Sequence, residues 1–268
     1  MQVSTGTAET TGISSETARP LDEVNVGSPG FHVVGAHYGV GDKASLHCPV
    51  CSGELTLLAD GSAGRRFRHL IAYDEERCPL STLSYQPEAP SVRRKRDTAL
   101  EREQRGAFLE NWQRHFQVMR RAAPSLTVRR FIYLVGYADV MNLWSYPSIE
   151  QHDLPYVLLT LAQFMRAGAM GGRPVWVRFC FDATVRDVGD LWTHRGPQAR
   201  LFKMMYNAPR ETPFPTSRQL IHYETVRRDA SFLETPPPWM KRADVKEFQR
   251  FAAGRSPVDM ERADTGTS

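Results

Sequence analysis

Apolar side chains recur at Phe108, Trp112 and Phe116, and Met119 and Ala123 extend the same stripe. Steps of three and four residues are the helix period, so the pattern predicts one long helix over 97–123. Its charges suit the helix dipole: Asp97, Glu101 and Glu103 stand near the start, Arg120 and Arg121 near the end, and Pro124 follows. The uninterrupted run Phe131-Ile132-Tyr133-Leu134-Val135-Gly136-Tyr137 predicts a buried strand. Leu154, Val157, Leu158, Leu161 and Phe164 predict a second helix over 152–166. Over 174–181, Val175, Val177, Phe179 and Phe181 alternate onto one face of another strand. Strand, helix and strand in this order imply a parallel βαβ unit. Residues 198–206 read as helical, 220–226 as either strand or helix, and a short helix near 244–251 follows the break Pro236-Pro237-Pro238-Trp239.

Nearer the N-terminus, Glu54-Leu55-Thr56-Leu57-Leu58 followed by Asp60-Gly61 predicts a hairpin with a tight turn. Three of the four cysteines of the chain lie around it. In Cys48-Pro49-Val50-Cys51-Ser52-Gly53 two thiolates two residues apart can turn toward one ion, and the glycine relieves the backbone just afterwards. The returning strand ends at His69, and eight residues separate it from Cys78-Pro79. Cys48, Cys51, His69 and Cys78 thus form a closed set of three thiolates and one imidazole, the donor set of a structural zinc site. His47 is the alternative imidazole, but its neighbour Cys48 is already needed by the knuckle, which favours His69. Cys180, inside the strand over 174–181, reads as a small apolar residue.

The chain then divides into a disordered tail (1–30), a zinc-binding module (31–85), a basic linker (86–96), a helix plus α/β domain (97–252) and a second disordered tail (253–268). The fold class expected is α+β or α/β: a small zinc-ribbon-like β module, a long connecting helix and a C-terminal α/β domain. With no apolar run of the length that spans a bilayer and no signal-peptide pattern, a cytoplasmic protein without membrane contact is expected, in keeping with metal-type rather than disulfide-type cysteines.

Charge alters this picture. The net charge is +4, yet residues 61–130 carry fifteen Lys/Arg against eight Asp/Glu. Such a concentration points to an anionic partner, and nucleic acid, DNA or RNA, is the commonest. Arg65, Arg66 and Arg68 on the returning strand, Arg93, Arg94, Lys95 and Arg96 in the linker, and Arg114 and Arg121 on the long helix are the candidate phosphate contacts. No phosphate-binding loop, dinucleotide fingerprint or nucleophile elbow occurs.

The Cys-Pro-x-Cys knuckle, the short hairpin, Arg66-Phe67-Arg68-His69 and the later Cys78 resemble the N-terminal zinc module of competence CoiA-like proteins over residues 46–85. The resemblance implies a helical connection to a restriction-endonuclease-like domain, in which carboxylates on adjoining strands hold Mg²⁺. The nearest equivalents are Asp139 and Glu150, and His152 stands where that pattern has a lysine. Three functions follow as expectations: an accessory zinc protein that binds nucleic acid through phosphates, a protein–protein adaptor in a larger assembly, or a metal-dependent nuclease.

Overall fold

The structure, a computed structural model, describes residues 31–32, 46–61, 64–71, 78–81, 90–92, 94–170, 172–193, 198–210 and 213–254. The two tails expected to be disordered lie outside the described residues, apart from Ala253 and Gly254. The overall class is α+β, as expected, with six α-helices and two four-stranded antiparallel sheets among the described residues.

The long helix is two helices. Asp97 caps the first, α1 (Thr98–Glu110), by accepting the backbone N–H groups of Ala99 and Leu100, both at 3.1 Å. Asn111 ends it: its amide reaches back to the Ala107 carbonyl, and its backbone leaves helical geometry before α2 (Trp112–Ala122) resumes. The apolar stripe survives the break, with Phe108, Trp112, Phe116, Met119 and Ala123 all buried.

The segment 131–137 is not a strand. It lies within α3 (Val128–Val140), whose start is capped by the Thr127 hydroxyl accepting from the Arg130 N–H. Over the longer window the burial is helical: Val128, Phe131, Ile132, Leu134, Val135 and Ala138 face inward, while Tyr133, Tyr137 and Val140 are exposed. The helix expected over 152–166 is shorter, α4 (Leu154–Leu161), with all eight residues buried. Gln163 then takes a left-handed φ of 53° and turns the chain into β5 (Met165–Met170).

The parallel βαβ unit is therefore absent among the described residues. β5 is followed by β6 (Arg173–Phe181), β7 (Leu201–Asn207) and β8 (Leu220–Val226), an antiparallel meander in the order β5-β6-β7-β8. β6 is the strand expected over 174–181. The segment read as a helix over 198–206 is instead β7, paired along its length with β6, Leu201 opposite Phe181 and Asn207 opposite Val175. A four-residue helix, α5 (Asp190–Thr193), lies between β6 and β7, and α6 (Arg242–Ala252) closes the described chain where the final helix was expected.

The N-terminal sheet has the order β1-β4-β3-β2, from β1 (Phe31–His32), β2 (Leu46–His47), β3 (Glu54–Gly61) and β4 (Gly64–His69). The hairpin is as expected, but its turn is displaced: Asp60 and Gly61 still pair with Arg65 and Gly64. The register also shifts by one residue at a bulge between Leu57 and Ala59.

The second sheet partitions two cores. On one side Val177, Phe179, Phe181 and Leu201 pack with the helices, where Trp112 stacks on Phe248 at 4.0 Å. On the other side Phe202, Met204 and Tyr206 pack against Cys48, Val50, Leu55, Phe67, Cys78 and Leu80 of the N-terminal module. The module is thus fused to the larger unit through a shared core.

Candidate metal centre

Three pieces of chain converge on one point. The first knuckle runs from Cys48 to Gly53, closed by Ser52 N–H to the Cys48 carbonyl at 2.9 Å and Cys48 N–H to the Gly53 carbonyl at 2.8 Å. The left-handed residue that permits this is Ser52, with φ 60°, rather than the glycine after it. Gly53 contributes differently, by donating its N–H to Cys51 Sγ at 3.4 Å. The second piece is the end of β4, where His69 faces inward beside Phe67, both buried. The third is the turn Cys78-Pro79-Leu80-Ser81, closed by Ser81 N–H to the Cys78 carbonyl at 3.0 Å.

Cys48, Cys51, His69 and Cys78 form a group whose donor atoms all lie within 4.8 Å of one another, so a Cys₃His set that can hold a metal ion is assembled by the fold. Cys48 Sγ and Cys78 Sγ are 3.7 Å apart, and Cys51 Sγ is 3.0 Å from His69 Nε2. Nε2 is thus the nitrogen turned to the thiols, while Nδ1 lies 3.3 Å from Ser81 Oγ. Such a partner on the second nitrogen fixes the ring orientation that a metal ligand needs. His47 is exposed and outside the group, which leaves His69 as the imidazole.

Electrostatics within the group are uneven. Hydrogen bonds from Cys51 first, and then from Cys78, push the Cys48 thiol well below its ordinary range. Burial pushes Cys78 the other way, and the nearby Cys48 and Cys51 sulfurs add to it. One thiolate forms readily and the next is opposed by it, an imbalance that a bound cation relieves. Cys180 stays outside: burial drives its thiol up to about 12, as expected of an unreactive apolar residue.

Ser81 is the site residue that sequence reasoning missed. A signal for it exists: Cys78-Pro79-Leu80-Ser81 repeats the pattern of Cys48-Pro49-Val50-Cys51, with serine in the fourth place and a buried aliphatic in the third. Both turns are also tied to the second sheet and its loops. Ala183 N–H donates to the Val50 carbonyl at 2.9 Å, Arg200 Nη2 to the Pro49 carbonyl at 2.7 Å, and Ser217 Oγ to the Ser81 carbonyl at 3.0 Å.

The carboxylates considered for Mg²⁺ share no group of three or more potential metal ligands among the described residues. Asp139 lies on α3, not on a strand, and both of its oxygens are taken by Arg105, at 2.8 and 3.0 Å, with Trp144 Nε1 adding a third bond at 2.6 Å. Glu150 is exposed and pairs with His152 at 3.3 Å. Those two residues do approach the buried Asp153, but Asp153 is already held by Arg228 at 2.8 Å and Trp192 Nε1 at 3.1 Å. Asp139 belongs to no such group among the described residues.

The nine candidate phosphate contacts separate into classes. The side chains of Arg65 and Arg66, and the whole of Arg93, lie outside the described residues. Arg68, Arg94, Lys95, Arg96 and Arg121 are exposed. Arg94 stacks over the Tyr146 ring at 5.6 Å and Arg96 pairs with Glu101 at 2.7 Å, which leaves Arg68, Lys95 and Arg121 as the less engaged cations. Arg114 is partly buried and engaged: it donates to the Thr235 carbonyl at 2.6 Å and to Asn111 Oδ1 at 2.7 Å, fastening the C-terminal segment to α2. No helix among the described residues is long and apolar enough to cross a membrane. In comparisons with known proteins, no family model, no curated protein and no solved structure matches the chain.

Proposed function

We propose that the protein holds one zinc ion through Cys48, Cys51, His69 and Cys78, that this ion is structural, and that the scaffold it fastens binds nucleic acid through phosphate contacts. The carrying observation is the closed, largely buried Cys₃His set whose two turns are hydrogen-bonded to the second sheet and its loops. Zinc suits the donors because thiolates and imidazole favour it and four protein ligands complete its tetrahedron. A Zn–S bond of about 2.3 Å places two sulfurs about 3.8 Å apart at tetrahedral angles. The 3.7 Å between Cys48 and Cys78 meets that requirement. With all four positions filled, no site remains for a substrate or an activated water, so the ion acts as a clamp.

Support for the nucleic-acid part comes from the excess of cations in residues 61–130 and from the exposure of Arg68, Arg94 and Lys95. The resemblance of the module to that of CoiA-like proteins points the same way. Fluorescence anisotropy with labelled DNA and RNA across a salt series tests the reading. Affinity is expected to fall steeply with salt, and Lys95→Gln and Arg68→Gln are each expected to flatten the slope of log affinity against log salt on duplex DNA by roughly 0.9. Salt-independent binding, or none, sinks it. The adaptor reading would then take over, and the exposed Leu57, Leu58, Leu70 and Ile71 of the hairpin favour it.

A further inference from the structure

On the face of the molecule where α2, α4 and the segment after β8 meet, there is an open groove of about 550 Å³. Arg121 of α2 stands in one wall and Arg227 in another, with Tyr156, Asp229, Val118 and Val226 among the lining residues. The two arginines are 106 positions apart in the chain, and folding alone brings them together. Both are exposed, and neither makes a hydrogen bond or an ion pair among the described residues. The contrast with their neighbours is informative. Arg228 is spent inside the fold on Asp153 and the Ala199 carbonyl, and Arg120 lies over the Phe116 ring.

Tyr156 supplies a second, independent observation. The residue is buried, yet it lines the groove, and its hydroxyl oxygen accepts the Asp229 N–H at 2.9 Å. That contact leaves the hydroxyl proton without an acceptor among the described residues, so a buried side chain brings an unspent O–H donor to the groove. Asp229 is the opposing charge. Its Oδ1 is occupied by the N–H and hydroxyl of Ser231, at 2.9 and 2.7 Å. Two guanidinium groups against one carboxylate leave the groove cationic.

We infer that this groove is a binding site for the phosphate group of a phosphate monoester, with Arg121 and Arg227 gripping the phosphate from opposite walls and Tyr156 donating to a third oxygen. Guanidinium forks match phosphate oxygens in pairs, and a phosphate monoester offers enough acceptors for all three donors at once. The volume exceeds what phosphate needs and falls in the range of small-molecule sites, so the organic part of the ester lies along Val118 and Val226. The same phosphate chemistry comes from a free nucleotide or from the 5′ end of a nucleic-acid chain. This site does not require the nucleic-acid reading to hold.

The test is calorimetric titration of the full, zinc-loaded chain with inorganic phosphate and with a nucleoside monophosphate, in a buffer free of other oxyanions. Binding is expected for both, weakened roughly tenfold or more by Arg121→Gln and by Arg227→Gln singly. Because both side chains are exposed, make no hydrogen bond and interact with Asp229 only through charge, thermal unfolding should change little in either variant. Arg121→Lys together with Arg227→Lys, which keeps the charge and loses the forks, should retain only part of the affinity. Lys246→Gln, at an exposed cation outside the groove, should have no effect. Absence of binding at millimolar phosphate and nucleotide, or binding that both glutamine variants leave intact, overturns the site. A 5′-phosphorylated oligonucleotide preferred over its 5′-hydroxyl form, with that preference lost in Arg227→Gln, assigns the phosphate to a chain end. Equal binding of the two oligonucleotides beside sensitive nucleotide binding assigns it to the free nucleotide. Oligonucleotide binding that depends on Lys95, beside phosphate and nucleotide binding that is absent or untouched by Arg121→Gln and Arg227→Gln, would remove this site and leave the proposed function standing, and sensitive nucleotide binding without any oligonucleotide binding would do the reverse.

Discussion

Replacing His115 with phenylalanine should change how the protein responds to acid. His115 lies on α2 with no exposed surface, stacked on Phe108 at 4.4 Å and edge-on to Phe232 at 5.3 Å. Neither ring nitrogen makes a hydrogen bond of good geometry. Burial first, and the Arg114 charge second, push its basicity down from 6.5 to about 3, while the Gln151 side chain opposes the shift. The unfolded chain therefore takes up a proton below pH 6.5 that the folded chain refuses until about pH 3. Stability linked to this residue is complete above pH 6.5 and is lost as pH falls. The loss amounts to about 1.4 kcal/mol per pH unit, or about 2–3 kcal/mol between neutrality and roughly pH 4.5. That is a large part of the ~5–15 kcal/mol by which a protein is folded.

Phenylalanine keeps the ring stack and has no proton to take. Its larger volume adds a cost of about 1–3 kcal/mol, and losing two unpaired nitrogens offsets some of it, but neither quantity depends on pH. The assay is urea unfolding of wild type and His115→Phe at several pH values from neutral to mildly acidic. The difference between the two curves should shift by about 2–3 kcal/mol in favour of the variant as pH falls to roughly 4.5. Protonation of the metal ligands is common to both proteins and cancels. Parallel curves would refute the reasoning and mean that His115 keeps an ordinary basicity or finds a partner.

Asp139→Ala should cost about 2–4 kcal/mol in urea unfolding, because it strands the Arg105 fork and the buried Trp144 N–H together; unchanged stability would mean that this clasp contributes nothing. Ser52→Gly should stabilise by about 1 kcal/mol by relieving the left-handed backbone of the first knuckle, seen as a higher midpoint of thermal unfolding, and a lower midpoint would contradict that account. Ser81→Ala should weaken metal affinity roughly tenfold in competition with a chromophoric chelator, and an unchanged affinity would remove Ser81 from the support of His69.

The metal ligands were legible because thiolate and imidazole chemistry is local and spacing-dependent, and the hairpin between them needs only a short alternating run. The strand carrying Val175, Val177, Phe179 and Phe181, and the helix stripe through Phe108, Trp112 and Phe116, were legible for the same reason: each turns one apolar side to one core. Phe131–Tyr137 misled because a seven-residue apolar run has no period, and its helix is visible only with Val128 and Ala138 included. In β7 the error ran the other way. Its Leu, Lys and two Met are good helix formers, but Leu201 packs on the helix side and Phe202, Met204 and Tyr206 alternate onto the opposite, buried face, so tertiary contacts override propensity. Asp139 was a catalytic candidate only while its partner Arg105, thirty-four positions away, was out of sight.

The most direct test of the central claim is X-ray absorption at the zinc edge on protein purified without chelator, with the metal counted on the same sample. The expected result is one zinc per chain, with three sulfurs at about 2.3 Å and one nitrogen at about 2.0–2.1 Å. A chain free of zinc, or an ion with fewer than three sulfurs or with a water oxygen in its shell, would contradict the structural clamp.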